Sequence, residues 1–134
     1  MVQPYFNFAG KASEAIEFYE KIFGGTNKHV MLYKDMPQDS SFPITDEMKN
    51  LVLHAEMTIC GTKFNFCDSF MEVTQGNMIS ISIRFKTTNE VAEIYERLID
   101  GGTAVIGIGP QFYSPLYACV KDKYGIEWQI MAEN

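Results

Sequence analysis

Two neighbouring ionisable side chains offer the most direct chemistry in this sequence. His54 and Glu56 lie two residues apart in the alternating segment LVLHAEMTIC, residues 51–60, so a strand would place both on one face. Imidazole exchanges protons near neutral pH, and a carboxylate beside it could orient the ring. We therefore consider His54 and Glu56 as a candidate acid–base pair. The alternative is a structural histidine, because buried polar groups generally find hydrogen-bond partners.

A second alternating segment, SISIRF, carries an arginine on its polar side. Its apolar residues would pack beneath a helix, which leaves the other face to three polar side chains. These are Ser80, Ser82 and Arg84. A guanidinium there requires a counter-charge, either from Glu56 or Glu127 in an internal ion pair or from an anionic ligand held by its planar fork.

The segment SISIRF begins the second of two copies of one sequence pattern. The alternating segments QPYFNF, residues 3–8, and SISIRF, residues 80–85, each precede an amphipathic segment that ends at a Gly-Gly pair. The spacing between the copies is 77 residues, both from Phe8 to Phe85 and from Gly24 to Gly101. In the second copy, Thr87 and Glu90 have capping-box spacing.

Three strand-like runs follow each helix, with glycine-containing turns before the last. They are residues 26–33, 51–60 and 63–68 in the first half and 103–108, 116–121 and 126–131 in the second. The sequence thus predicts an α+β chain of two βαβββ modules, about 1–70 and 77–134, within a single domain of residues 1–134. Each helix covers one face of its sheet, so we expect the two bare faces to enclose a concave cavity for a ligand.

Composition narrows the classes of partner. The chain of 134 residues has a formal net charge of -6, which disfavours binding to nucleic acid. No apolar run approaches the ~20 residues needed to cross a bilayer. No signal peptide is visible ahead of the first strand, so we predict a cytoplasmic protein. Cys60, Cys67 and Cys119 have no metal-ligand spacing, and we expect buried free thiols.

Aromatic side chains divide into two groups. Trp128 and Phe64 occupy matching places in the two halves and are predicted to anchor the helices to the sheets. Four others are candidates for a pocket wall, with core or rim packing as the alternative. They are Tyr5, Tyr117, Phe112 and Tyr113, the last two in a predicted loop GPQFYSP.

The stretches PYFNF, EAIEFYEKIFGG, TDEMKNLVLHAEMTICGTKF and YACVKDKYGIEWQI resemble the PhnB-like branch of the glyoxalase, bleomycin-resistance and dioxygenase (vicinal oxygen chelate) superfamily. The resemblance covers essentially the whole chain and implies paired βαβββ modules, often assembled as homodimers. Some members of this branch carry the label of ubiquinone methyltransferases. The sequence has no glycine-rich strand-to-helix loop with a downstream acidic residue, so it gives that label no support.

Catalytic members of the superfamily hold a divalent metal with His, Glu or Gln from the first and last strand of each module. The resemblance implies four equivalent positions here, namely Gln3, Asn65, Ser80 and Gln129. Neutral amides and a hydroxyl are poor ligands for transition metals, so we predict no tightly held metal and no cofactor. A shift in the alignment would instead bring Glu127 to the place given to Gln129, and His54 with Glu127 is the fallback metal pair.

These observations predict a PhnB-like protein that binds a small organic molecule and lacks the usual metal site. The predicted ligand-binding residues are Gln3, Tyr5, Asn65, Ser80, Ser82, Arg84, Tyr117 and Gln129. The alternative is a lyase-type or transferase-type enzyme with a rearranged metal site or a His54/Glu56 acid–base pair. The polar segment 34–50 is either a lid, a dimer arm or a surface excursion.

Overall fold

The computed structural model describes residues 1–37 and 42–134, which form two compact units, Met1–Val73 and Thr74–Asn134. Each unit has the predicted order of one strand, one helix and three further strands. Unit 1 contains β1 Tyr5–Phe8, α1 Ala12–Phe23, β2 Thr26–Leu32, β3 Val52–Ile59 and β4 Thr62–Asp68. Unit 2 contains β5 Ile81–Phe85, α2 Thr88–Leu98, β6 Thr103–Gln111, β7 Ser114–Lys121 and β8 Glu127–Ala132.

The two sheets have the same topology. Strand order is β1-β4-β3-β2 in unit 1 and β5-β8-β7-β6 in unit 2. The first strand of each unit pairs in parallel with the last, while the remaining pairs are antiparallel. Within residues 1–37 and 42–134, two α-helices and eight strands in two four-stranded mixed sheets confirm the predicted two-module α+β fold.

Helix α1 packs one apolar stripe on its sheet. Ala12, Ala15, Ile16, Tyr19 and Ile22 are buried in the helix, as its spacing predicted. The sheet contributes Phe6, whose ring makes edge-on contacts with Tyr19 and Phe64 at centroid distances of 6.0 and 5.6 Å. Gly24 then ends the helix in the left-handed conformation, with φ of 66°, which glycine adopts without steric cost.

Helix α2 is positioned by its N-terminal cap and by a matching core. The Thr87 hydroxyl accepts a hydrogen bond from the Glu90 backbone N–H at 3.2 Å, which confirms the predicted cap. Val91 and Leu98 are fully buried in the helix, and Trp128 and Ile130 are fully buried in β8. The predicted core positions of Trp128 and Phe64 are therefore confirmed.

Two buried aspartates fix the connections between elements. The Asp68 carboxylate at the end of β4 accepts hydrogen bonds from the backbone N–H groups of Gly10, Ala12 and Val52 at 2.8 to 3.0 Å. It therefore ties the start of α1 and the start of β3 to one strand end. Sequence analysis did not single out Asp68, because a lone aspartate after a strand is an ordinary turn residue.

Asp122 has the corresponding function in unit 2. Its carboxylate accepts from the backbone N–H groups of Tyr124 and Ile126 and from the indole N–H of Trp128 at 2.8 to 3.1 Å. The turn between β7 and β8 is thereby joined to the core. The signal available in the sequence was the Asp at the start of the turn DKYG.

Strand ends differ from the predictions in two places. Strands β6 and β7 extend through most of the predicted loop GPQFYSP, leaving only Phe112 and Tyr113 between them. The prediction of an open loop there was wrong, because backbone pairing continues to Gln111 and Ser114. In unit 1, Tyr33 begins a short 3-10 helix instead of ending β2.

The irregular segment 34–50 is held at both of its ends. Backbone hydrogen bonds join Tyr33 to Leu51 at 3.0 Å and Lys34 to Lys49 at 3.1 Å. The ring of Phe42 contacts those of Tyr33 and Phe70 at centroid distances of 6.4 and 5.7 Å. The predictions of a lid, a dimer arm or a surface excursion also cover residues 38–41, which lie outside the described residues.

Candidate functional site

Each sheet has one face covered by its helix and an opposite face, here called the helix-free face. In β1, Phe6 and Phe8 are buried while Tyr5 and Asn7 are exposed, as the alternation predicted. In β3, Ala55 and Met57 are fully buried, whereas His54, Glu56 and Thr58, which alternate with them, are half-buried. The helix-free face of unit 1 therefore carries Tyr5, Asn7, His54, Glu56, Asn65 and Cys67.

Two predicted ligand positions of unit 1 bind each other. The Asn65 side-chain amide donates to the Gln3 side-chain carbonyl at 2.6 Å. Gln3 in turn directs its own amide nitrogen to the sulfur of Met1. Asn65 is 7% exposed, so this amide pair is largely shielded from water.

His54 is partnered by a tyrosine and not by the predicted glutamate. The Tyr5 hydroxyl lies 3.0 Å from His54 Nδ1, and the two rings are 5.7 Å apart. Glu56 lies 3.6 Å from the ammonium of Lys63. Among the described residues, the structure places no hydrogen bond between His54 and Glu56. Because Tyr5 is 49 residues distant in sequence, only the strand register reveals this contact.

The remaining pair on this face contains a thiol. Cys67 donates from its sulfur to the Asn7 side-chain carbonyl at 3.1 Å. Burial raises the pKa of the Cys67 thiol, which a hydrogen bond with Tyr5 partly offsets. Burial also raises the pKa of Tyr5, with the neighbouring Cys67 adding to the effect. Both groups are therefore protonated at neutral pH and act as hydrogen-bond donors.

In unit 2 the two equivalent positions also bind each other, and a tyrosine extends the chain. Gln129 donates from its amide nitrogen to the Ser80 hydroxyl oxygen at 2.7 Å. Tyr117 donates from its hydroxyl to the Gln129 carbonyl oxygen, also at 2.7 Å. Burial, together with Cys119 and Tyr113, raises the pKa of Tyr117 to about 12. Tyr117 is thus a donor throughout the physiological pH range.

The helix-free face of unit 2 is partly apolar. Tyr117, Cys119 and Met131 form a buried cluster on this face, away from α2. The Tyr113 ring meets that of Tyr117 edge-on at 5.7 Å, whereas Phe112 is 97% exposed. Of these predicted wall residues, Tyr117 is buried, Tyr113 is 37% exposed and Phe112 projects from the turn.

Arg84 and Ser82 lie on the same face at the first strand of unit 2. Both are exposed, and in the register of the sheet Ser82 lies beside Gln129 and Arg84 beside Met131. Residues 74–134 are all described, and within them Arg84 makes no ion pair. The internal ion pair with Glu127 is not formed, because Glu127 lies at the other end of β8, beside Lys121.

The thiols are not uniformly buried. Cys119 is buried, Cys67 is half-buried and Cys60 is exposed. The expectation of three buried thiols was wrong for Cys60, which occupies the turn between β3 and β4 with φ of 47°. None of the three forms a disulfide.

The donor set does not fit a divalent metal. The described residues contain no group of three or more His, Cys, Asp or Glu side chains that could hold an ion. At the four positions implied by the resemblance, the oxygens of Gln3, Ser80 and Gln129 already accept hydrogen bonds from protein groups. The fallback residues His54 and Glu127 belong to different units.

The architecture of each unit, with parallel first and last strands and a helix on one face, defines a glyoxalase-like protein of the vicinal oxygen chelate superfamily. A match to the family described as 3-demethylubiquinone-9 3-methyltransferase extends over residues 1–131. The chain belongs to this PhnB-like family.

Solved structures with the same fold include three informative relatives. Protein PA1353 from Pseudomonas aeruginosa has a TM-score of 0.86 at 24% identity, covering 99% of this chain and 98% of that one. The PhnB protein of Bacillus cereus, described as a putative 3-demethylubiquinone-9 3-methyltransferase, has a TM-score of 0.78 at 25% identity, with 98% of both chains covered. The fosfomycin resistance protein FosX from Listeria monocytogenes, in complex with Mn(II) and 1S,2S-dihydroxypropylphosphonic acid, has a TM-score of 0.69 at 11% identity, covering 100% and 92%.

The helices in the described part of the chain are too short or too polar to cross a membrane.

Proposed function

We propose that this PhnB-like chain binds a small organic molecule on the helix-free faces of its sheets and does so without a resident metal. The observation that carries the proposal is the pairing of the superfamily ligand positions with each other, Gln3 with Asn65 and Ser80 with Gln129. A metal site requires lone pairs directed at one point, whereas the side-chain oxygens of Gln3, Ser80 and Gln129 accept hydrogen bonds within the protein.

The same pairing suits the faces to a ligand with polar groups. Fixed amides and hydroxyls on rigid strands orient a ligand, while exposed aromatic side chains such as Tyr5 and Tyr113 supply apolar contact area. The preorganised groups reduce the entropic cost of binding.

A ligand screen on metal-stripped protein tests the proposal. We expect native mass spectrometry against a metabolite library to give at least one saturable one-to-one complex after chelator treatment. Gln129→Ala should weaken that complex about 10-fold, because the amide anchors both Tyr117 and Ser80. The exposed Gln111 provides the matched control, and Gln111→Ala should bind like the parent.

A requirement for divalent metal in every complex detected would contradict the proposal. So would equal loss of binding in Gln129→Ala and Gln111→Ala.

One contact favours a second candidate, metal-free acid–base catalysis. In the tautomer in which His54 Nδ1–H donates to the Tyr5 hydroxyl oxygen, 3.0 Å away, Nε2 is the unprotonated nitrogen that a general base requires. Glu56 pairs with Lys63, so Tyr5 is the orienting group in this version. An activity that disappears in His54→Ala, persists in Glu56→Gln and needs no metal would support catalysis. Activity equal to the parent in His54→Ala would exclude it.

We also propose a cytoplasmic homodimer. Cysteines without disulfide bonds are typical of a reducing compartment, and Cys60, Cys67 and Cys119 form no disulfide. The edge strands β2 and β6 expose apolar side chains that a second copy of the chain would cover. These side chains are Val30, Met31, Val105, Ile106 and Ile108.

A further inference from the structure

The first strands of the two units differ in how their polar side chains are used. In unit 1, each helix-free position is engaged by a side chain of another strand: Gln3 by Asn65 and Asn7 by Cys67 of the neighbouring β4, and Tyr5 by His54 of β3. In unit 2, the matching positions are Ser80, Ser82 and Arg84. Within residues 74–134, only Ser80 is engaged, and Ser82 and Arg84 have no side-chain partner.

The direction of the hydrogen-bond chain determines what Ser80 can offer. Tyr117 donates to Gln129, so the amide of Gln129 presents its nitrogen to the Ser80 oxygen. Because that oxygen accepts, the hydroxyl hydrogen of Ser80 is available to another group. Deprotonation of Tyr117 cannot reverse this direction at neutral pH, since its pKa is raised to about 12.

Ser80, immediately before β5, and Ser82 and Arg84 within β5 therefore form a row of donors. Alternate residues of a strand are about 7 Å apart, so the row spans about 13 Å. It contains two hydroxyls and a guanidinium, and the charge of Arg84 is not neutralised within its unit. Glu127 lies four residues from Met131, the register partner of Arg84, on the side of Lys121. Glu133 is nearer in register, since its backbone N–H donates to the Phe85 carbonyl at 2.8 Å, but within residues 74–134 it forms no ion pair with Arg84.

The surroundings of Arg84 suit an organic anion better than a free inorganic ion. Arg84 shares a cross-strand row with Met131 and Tyr117, both buried, and Tyr113 contacts the Tyr117 ring. The guanidinium can bind an oxyanion bidentately, while apolar contact with the ring or chain of the ligand would come from Tyr113, which is 37% exposed.

We propose that the ligand of this protein carries a carboxylate, phosphate or phosphonate group, which binds Arg84 and the hydroxyl of Ser82, with Ser80 as a further donor. This inference rests on the proposed binding function and specifies the chemical class of its ligand. It also assigns the charged end of the ligand to β5 of unit 2.

Matched pairs of small probes test the charge requirement. Benzoate and benzamide have the same shape but differ in charge, and phenylphosphonate offers the alternative oxyanion. We expect both anions to shift the backbone amide signals of β5 and β8 in ¹⁵N spectra, whereas benzamide should bind about 10-fold more weakly or not at all.

The chain provides a clean control for the arginine, because it has only two arginines. Arg84→Gln should weaken benzoate and phenylphosphonate binding about 10-fold to 100-fold and abolish the difference between benzoate and benzamide. Arg97 is exposed on α2, and Arg97→Gln should leave all three affinities unchanged. Ser82→Ala should weaken the anions by less than Arg84→Gln.

Failure of this inference is distinguishable from failure of the binding function. Equal affinity for benzoate and benzamide, equal effects of Arg84→Gln and Arg97→Gln, or no anion-dependent shift in β5 would each overturn the anionic assignment. A neutral metabolite bound in the library screen would then leave the binding function standing. Thermal denaturation of both arginine variants verifies that each is folded, which their exposed side chains lead us to expect.

Discussion

At the scale of single residues, the site is defined by which side chains the strand register brings together. The sequence predicted correctly which residues share a face, because alternation is a local property. It did not predict that Tyr5 contacts His54 or that Tyr117 contacts Gln129, since cross-strand neighbours depend on register. The predicted His54/Glu56 pairing followed from sequence proximity alone, and the structure gives each residue a different partner.

The buried hydroxyl of Tyr117 leads to a prediction about alkaline stability. Its pKa is about 12 in the folded chain, above the ordinary value of 10.0. The folded state thus favours the neutral form, and the resulting stability is fully present below pH 10 and is lost as pH rises towards 12. In Tyr117→Phe, denaturant titrations should show a shallower loss of unfolding free energy across that pH window.

A tyrosine without this environment provides the comparison. Tyr95 on α2 lies outside this hydrogen-bond chain, and Tyr95→Phe leaves Tyr117 in place, so this variant should show a steeper loss than Tyr117→Phe between pH 10 and 12. If Tyr117→Phe and the parent lost stability identically over this range, the assignment of Tyr117 as a fixed donor would be wrong.

At the scale of elements, caps and helical stripes were readable from the sequence, whereas the polar links between elements were not. Thr87 and the glycine after α1 carry local signals, and both were predicted. Asp68 and Asp122 were missed because their partners come from different elements, so nothing in the neighbouring sequence distinguishes them from surface turn residues. The strand ends of β6 and β7 were misplaced because paired backbones continued through a segment rich in Gly and Pro.

The Asp68 link predicts a large and specific loss of stability. In Asp68→Ala, the backbone N–H groups of Gly10, Ala12 and Val52 lose their hydrogen-bond acceptor, and those of Ala12 and Val52 are buried. We expect the free energy of unfolding to fall by about 3 kcal/mol, measured by urea denaturation.

Asp46→Ala is the control, since Asp46 is exposed and its ion pair with Lys49 spans 3.8 Å. That variant should change stability by less than about 0.5 kcal/mol. Equal effects of the two substitutions would contradict the assigned function of Asp68.

At the scale of the whole molecule, the duplicated sequence pattern accounts for the architecture of both units, whereas the homodimer is a proposal. Both halves repeat strand, helix and three strands, which the 77-residue spacing predicted and the two sheets confirm. The family relationship rests on the same features, spread over residues 1–131. Sequence features spread over the whole chain define a fold well. The choice of ligand depends on a few side chains, which vary independently of the fold.

The proposed homodimer predicts a response to charge on strand β6. Val105 is 52% exposed there, and Val105→Lys should convert the dimer to a monomer in light scattering coupled to size exclusion. Thr103→Lys adds the same charge to an exposed residue of the same strand and should leave the mass unchanged. A parent protein that is monomeric at all concentrations would contradict the proposal, as would an unchanged dimer in Val105→Lys.

Metal analysis combined with native mass spectrometry of the freshly purified, untreated protein tests the central claim most directly. We predict no stoichiometric zinc, nickel, iron or manganese, and a bound organic molecule or a competent one-to-one complex with a library ligand. One firmly held transition metal per chain, retained on dialysis and required for ligand binding, would contradict the account.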